Sequence, residues 1–149
     1  MIENETDVKL ASILFVDDEA DILSTLRRSM RKSQYQCFYA STGEQALAIL
    51  EENIVDIVIS DMKMPEMTGE QLLKEVAHKY PETIRIVLSG FAEDDLVMGA
   101  INQGHIWGFI HKPWNHNELL LSIEQAVFTQ QIVAERALLK RTLNQYKTK

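Results

Sequence analysis

Asp61 closes the run Ile57-Val58-Ile59-Ser60-Asp61, a short β-branched apolar stretch that delivers one carboxylate to the start of a loop. An earlier apolar run, Ile13-Leu14-Phe15-Val16, ends the same way in Asp17-Asp18-Glu19, and two later ones end at Ser89 and at Lys112-Pro113. A carboxylate is a modest nucleophile, yet it can attack phosphorus and form an acyl phosphate. Such a transfer needs little covalent help and much neutralisation of charge. Mg²⁺ suits that task, because it keeps several waters and takes one or two carboxylates along with phosphate oxygens. Asp18 and Asp61 fit it as ligands, with Asp17 in contact with the ion or just behind it. Acids crowded together raise one another's pKa, so the cluster itself calls for a cation. Lys112 supplies a point charge for the acids and for phosphoryl oxygens, and the Ser89 hydroxyl can hydrogen-bond a phosphoryl oxygen. Each residue alone has a plainer reading: acids that favour a helix N-terminus, a loop acid, a turn serine, a surface lysine. Their common position at strand ends is what points to Mg²⁺-dependent phosphoryl transfer onto Asp61.

The elements that must gather these residues alternate. Strands are expected over residues 13–16, 35–40, 55–60, 84–88 and 107–110, and helices over 19–32, 44–50, 70–79, 92–103 and from about 115 onward. Ser41 or Thr42 is the expected N-cap of the second helix, Pro81 ends the third, and Gly104 ends the fourth. Short, wholly apolar strands separated by helices describe βαβ crossovers and a parallel sheet buried on both faces. The expected fold is α/β, a flavodoxin-like doubly wound (βα)5 sheet of order 2-1-3-4-5, in which ligands bind beyond the carboxyl ends of strands one and three. That order places Asp17, Asp18 and Asp61 together, with Ser89 and Lys112 on the flanking strands.

At 149 residues the chain suits one core domain. We divide it into an N-terminal tail (1–11), a domain (12–128) and a C-terminal helical extension or linker (129–149). From residue 129 onward five cations face the single acid Glu135, whereas residues 1–128 carry 10 basic and 21 acidic groups, or −11. An acidic globule of this kind is not expected to grip nucleic acid directly. The lone Cys37 excludes a disulfide framework within the chain and fits a reducing compartment. No apolar run approaches the ~18 residues of a membrane span, the N-terminus lacks a signal peptide's basic start, and a soluble, cytoplasmic protein is expected. His105, His111 and His116 lack zinc-ligand spacing, and no phosphate-binding G-x-x-x-x-G-K-[ST] run is present.

From Ser12 to Phe128 the chain resembles the receiver domain of two-component response regulators. The resemblance rests on Ile13-Leu14-Phe15-Val16-Asp17-Asp18-Glu19, on Asp61-Met62-Lys63-Met64-Pro65-Glu66-Met67-Thr68-Gly69, on Leu88-Ser89-Gly90 and on Phe109-Ile110-His111-Lys112-Pro113. It implies that Asp61 accepts phosphate from the phosphohistidine of a sensor histidine kinase or phosphotransfer protein. Asp17 and Asp18 would assemble Mg²⁺ with it, and the Lys63 carbonyl would add a ligand. Ser89 and Phe109 would form a switch pair, the hydroxyl moving to the phosphoryl group and the ring turning inward. The change would bias the surface of helix four, strand five and helix five. Lys63 and Phe91 occupy positions bordering the path of the hydrolytic water, and a bulky Phe91 is expected to prolong the phosphorylated state. The Lys112–Pro113 bond is often cis in this family. Lys112-Pro113-Trp114 resembles a subgroup joined to output domains such as HD-type phosphodiesterases and ATP-dependent transcription activators.

Phe128, Ile132, Leu139 and Tyr146 recur at a loose 4-7-7 spacing in the extension, a weak heptad trace. A signalling or dimerisation helix is expected from it, the alternative being a helix that packs back on its own domain. A homodimer is expected, through that helix or through the helix four, strand five and helix five surface. The helix lacks a terminating cap, so the chain is expected to stop within a linker to an output domain. The protein is read as a switch that phosphorylates and dephosphorylates itself, not a multiple-turnover enzyme. The alternatives are a phosphatase of the aspartyl-phosphate type, which wants a second Asp where Lys63 stands, and a phosphorylation-independent interaction module.

Overall fold

The computed structural model describes residues 10–147, and of Phe91 the backbone only. The remainder of the 1–11 tail and the last two residues of the extension lie outside the described residues. Among the described residues five strands and five α-helices alternate: β1 (Ser12–Val16), α1 (Ala20–Met30), β2 (Gln36–Ala40), α2 (Gly43–Glu52), β3 (Ile57–Asp61), α3 (Gly69–Lys79), β4 (Ile84–Ser89), α4 (Asp94–Asn102), β5 (Gly108–His111) and α5 (His116–Lys147). All pairings are parallel, in the order β2-β1-β3-β4-β5.

The apolar runs become central strands because alternate side chains leave opposite faces of a strand. Leu14, Val16, Val58 and Val87 pack on one side against Ala46, Leu50, Leu72, Leu73, Val76 and Val97 from α2, α3 and α4. Ile13, Phe15, Ile57, Ile59, Ile86 and Leu88 pack on the other against Leu23, Leu26 and Met30 of α1 and Leu119, Ile123 and Ala126 of α5. Each fully buried Leu or Ile contributes about 1.5–3 kcal/mol. The edge strand β2 is mostly half-exposed, which explains its mixed sequence.

Caps set the helix starts. Thr42 is the N-cap of α2 and accepts from the Gln45 N–H at 3.0 Å. Thr68 and Gln71 form a reciprocal capping box that starts α3 at Gly69. The fourth helix starts later than the pattern of apolar residues suggests. Phe91–Glu93 form a 3₁₀ turn closed by the Glu93 N–H donating to the Gly90 carbonyl at 3.1 Å, and the Glu93 side chain reaches back to the Gly90 N–H at 3.0 Å rather than forward into the helix. Gly104 ends that segment with φ +80.

At the amino end of the sheet, Asp56 Oδ2 accepts from the Ser12 N–H at 2.9 Å and from the Ser12 hydroxyl at 3.3 Å. Helix α5 runs unbroken for 32 residues, about 48 Å at 1.5 Å per residue. It crosses residue 128 without interruption, and beyond it Gln130 donates to the Glu82 carbonyl at 3.5 Å while Arg141 pairs with the Glu82 carboxylate at 3.2 Å. Its opposite side exposes Phe128, Ile132, Leu139, Leu143 and Tyr146.

Candidate functional site

Register brings the strand ends to one edge. Val16 lies beside Ser60, Asp61 beside Leu88, and Ser89 beside His111. The ladder extends past β5, where the Lys112 N–H donates to the Ser89 carbonyl at 2.8 Å. Lys112 Nζ therefore reaches Asp17 Oδ2 at 2.9 Å, Asp61 Oδ1 at 3.2 Å and Glu19 Oε2 at 3.9 Å. The Lys112–Pro113 peptide is cis. Asp17 is fully buried and uses its other oxygen to accept from the Glu19 N–H at 2.9 Å.

One ammonium does not balance this edge. Burial, and then the charge of Asp17, push the Asp61 carboxyl up to about 6; Lys112 pulls it down, and Asp18 adds a further upward push. Burial alone would lower the Lys112 pKa, but hydrogen bonds and charge from Asp17 and Asp61 outweigh it and leave it raised. A carboxylate oxygen from each of Asp17, Glu19 and Asp61 lies within 4.8 Å of the others. Hard oxygen donors carrying excess negative charge are what a small divalent cation takes, so the residues present fit Mg²⁺.

Ser89 Oγ is buried and has no hydrogen-bond partner among the described residues. Leaving such a hydroxyl unpaired costs about 1–3 kcal/mol, a cost relieved when a partner with free oxygens arrives. Phe109 is 41% exposed and meets His111 edge-on at 4.9 Å, so its ring points away from the interior. His111 Nε2 in turn lies 3.6 Å from Asp94 at the start of α4. A cavity of about 410 Å³ opens over the edge, with Asp18, Asp61, Lys63, Gly90, Glu93 and Lys112 in its wall.

Every residue singled out from the sequence therefore borders this edge, apart from Phe91, whose side chain lies outside the described residues, and Phe109, which faces outward. Asp18 and Glu19 are both exposed on the cavity wall, and a Glu19 oxygen also falls within the acid cluster. Sequence reasoning left Glu19 out because an acid opening a helix reads as a cap; as N-cap of α1 its side chain makes no cap bond. Gly69 was also missed. A Cβ there would run into the Asp61 carbonyl oxygen, and the Gly69 N–H donates to the Met62 carbonyl at 2.9 Å. The close approach of α3 fixes the strand end that carries Asp61.

Known proteins match this arrangement. Residues 13–124 match the family described as response regulator receiver domain. The hydrogenase transcriptional regulatory protein HoxA of Cupriavidus necator is 34% identical over 122 residues, covering 82% of this chain and 25% of that protein. The signal receiver domain of an HD domain-containing protein from Pseudomonas fluorescens Pf-5 superposes with a TM-score of 0.79 at 37% identity, covering 83% of this chain and 98% of that one. NtrX from Brucella abortus superposes with a TM-score of 0.81 at 28% identity, covering 88% of this chain and 30% of that one. The chain spans about a quarter of the length of the first two curated relatives it matches.

Proposed function

The chain belongs to the response regulator receiver domain family, and from that premise we propose that Asp61 is its phosphoacceptor and that residues 12–128 form the receiver proper. The donor is the phosphohistidine of a sensor kinase or phosphotransfer protein. An Asp61 oxygen forms the new bond to phosphorus as the phosphorus–nitrogen bond breaks, and the electron pair stays on the imidazole, which takes up a proton. Asp17, Asp18 and Asp61 hold Mg²⁺ with the Lys63 carbonyl, and Glu19 adds negative charge beside them. The ion supplies neutralisation of charge on the transferring group.

The chain's own residues do the rest. Lys112, already between Asp17 and Asp61, turns part of its bonding to the phosphoryl oxygens. Ser89 donates its idle hydroxyl to one of them, and movement at Ser89 lets the Phe109 ring turn inward. Lys63 and Phe91 tune how readily water reaches the acyl phosphate. The receiver is a switch acting on itself, not an enzyme turning over external substrates, and it works in the cytoplasm; among the described residues no helix is long and apolar enough to cross a membrane. Its signal leaves through α4, β5 and α5 to an output domain or partner, without direct nucleic-acid contact by this domain. The exposed apolar side of α5 supports homodimerisation through that helix.

The observation that carries this reading is the Lys112 ammonium held between two buried carboxylates at the sheet's carboxyl edge. Incubation with acetyl phosphate and Mg²⁺ tests it. The expected product is a base-labile, acid-resistant adduct on Asp61, absent in Asp61→Asn and without Mg²⁺. An adduct elsewhere, or none, would refute the assignment.

A further inference from the structure

Two successive donors stand at the carboxyl end of β4, and they are in opposite conditions. The Ser89 hydroxyl is buried and unpaired among the described residues. The next donor, the Gly90 N–H, is already taken at 3.0 Å by the carboxylate of Glu93. Gly90 and Glu93 both line the cavity that Asp61, Lys63 and Lys112 line. Glu93 is also the N-cap of α4, with φ −106 and ψ 7, yet its side chain makes no cap bond to that helix. Its carboxylate reaches back to the cavity instead of forward to the helix it precedes.

We propose that Glu93 is an internal stand-in for the phosphoryl group: its carboxylate holds the Gly90 N–H in the unphosphorylated receiver and is expelled when a phosphoryl oxygen on Asp61 claims that donor. The proposal rests on the assignment of Asp61 as phosphoacceptor and deepens it. A phosphoryl group brings nearly two negative charges into a cavity whose wall already carries the Glu93 carboxylate. Like charges in a partly enclosed space repel, so the arriving group both competes for the donor and pushes the competitor away. No further bond is made or broken; one anion replaces another on an amide hydrogen. The released Glu93 side chain is then free to turn toward the first N–H groups of α4, where a negative charge is favoured. Glu93 is thus a positioning residue that converts a change at Asp61 into a change at the start of α4.

The test uses the full chain with acetyl phosphate and Mg²⁺, comparing wild type with Glu93→Gln, Glu93→Ala and Glu93→Asp at low and high salt. Amide NMR follows Gly90. Wild type takes label slowly, and its Gly90 amide resonance moves on labelling. Glu93→Gln and Glu93→Ala label about fivefold faster at low salt, a size fitting the loss of one partly screened like charge. That advantage shrinks at high salt as the charge is screened. Glu93→Asp keeps the charge and labels near the wild-type rate, an order that loss of folding stability would not produce. Labelling of wild type on Asp61 with all three variants at its rate, or a Gly90 resonance unmoved by labelling, would overturn the proposal and leave the phosphoacceptor assignment standing. Failure of the wild type itself to take label would remove that assignment and the proposal with it.

Discussion

The two ends of the sheet bury the same chemistry under opposite conditions. At the amino end, Asp56 takes two hydrogen bonds from Ser12, and its own N–H reaches the Ser12 hydroxyl at 3.2 Å. Nearby Arg85, half-buried, directs its guanidinium to the carbonyls of Thr83 and His105, each at 2.8 Å. At the carboxyl end, one ammonium serves Asp17, Glu19 and Asp61, and the Ser89 hydroxyl is unpaired among the described residues. At one end Asp56 and Arg85 have their partners, while at the other the acids share a single cation and Ser89 has none among the described residues. Buried groups left short of partners concentrate where a ligand is to arrive. The amino end holds the sheet together, while the carboxyl end holds a charge imbalance in place.

Substitutions at the two ends should therefore act in opposite directions. The largest effect is expected for Asp56→Ala, which strands the buried Ser12 N–H and should cost about 3 kcal/mol of unfolding free energy. Denaturant titration measures it, and labelling of the folded fraction by acetyl phosphate should be unchanged. Gly69→Ala should be next. The added methyl displaces the Asp61 carbonyl, and a misplacement of about 1 Å at a reacting group costs on the order of a hundredfold in rate. Labelling kinetics should show that loss while the fold survives.

Asp61→Asn should run the other way and stabilise the metal-free protein. The folded-state value of about 6 lies above the ordinary 3.8, so folding favours the protonated acid. That contribution is complete below about pH 3.8 and lost as pH rises through about 6. At pH 7.5 the ionised wild type carries a penalty that asparagine lacks, about 2 kcal/mol. Thermal melts from pH 3.5 to 8 should show the two proteins diverging across that window, and Mg²⁺ should narrow the gap. A destabilised Asp61→Asn at pH 7.5 would erase the contrast between the two ends.

Much of the carboxyl end is legible in the sequence because strands buried on both faces read as largely apolar runs, and the polar residues that close them mark the strand ends. Asp17, Asp61, Ser89 and Lys112 all stand at such points, and the order of the strands brings them together. What stayed hidden depends on where a side chain turns after the strand ends. Glu19 and Asp18 are adjacent acids, and only the backbone direction at the start of α1 sends Glu19 to the cluster. Gly69 looks like ordinary loop punctuation until α3 is seen against the Asp61 carbonyl. Glu93 reads as part of a helix, yet its bond to Gly90 delays that helix to Asp94. The Asp56–Ser12 pair spans 44 residues, and neither residue carries a pattern that announces the other. The heptad trace in α5 was visible, but not the opposite stripe that carries Val133 and Gln130 toward the globule.

The contrast turns on the Asp61 carboxyl, whose titration can be followed directly by carboxyl-carbon NMR in the metal-free protein and again with saturating Mg²⁺. The charge imbalance predicts a midpoint near 6 without metal and a clear fall when the ion is added. A midpoint in the ordinary aspartate range, unmoved by Mg²⁺, would contradict it.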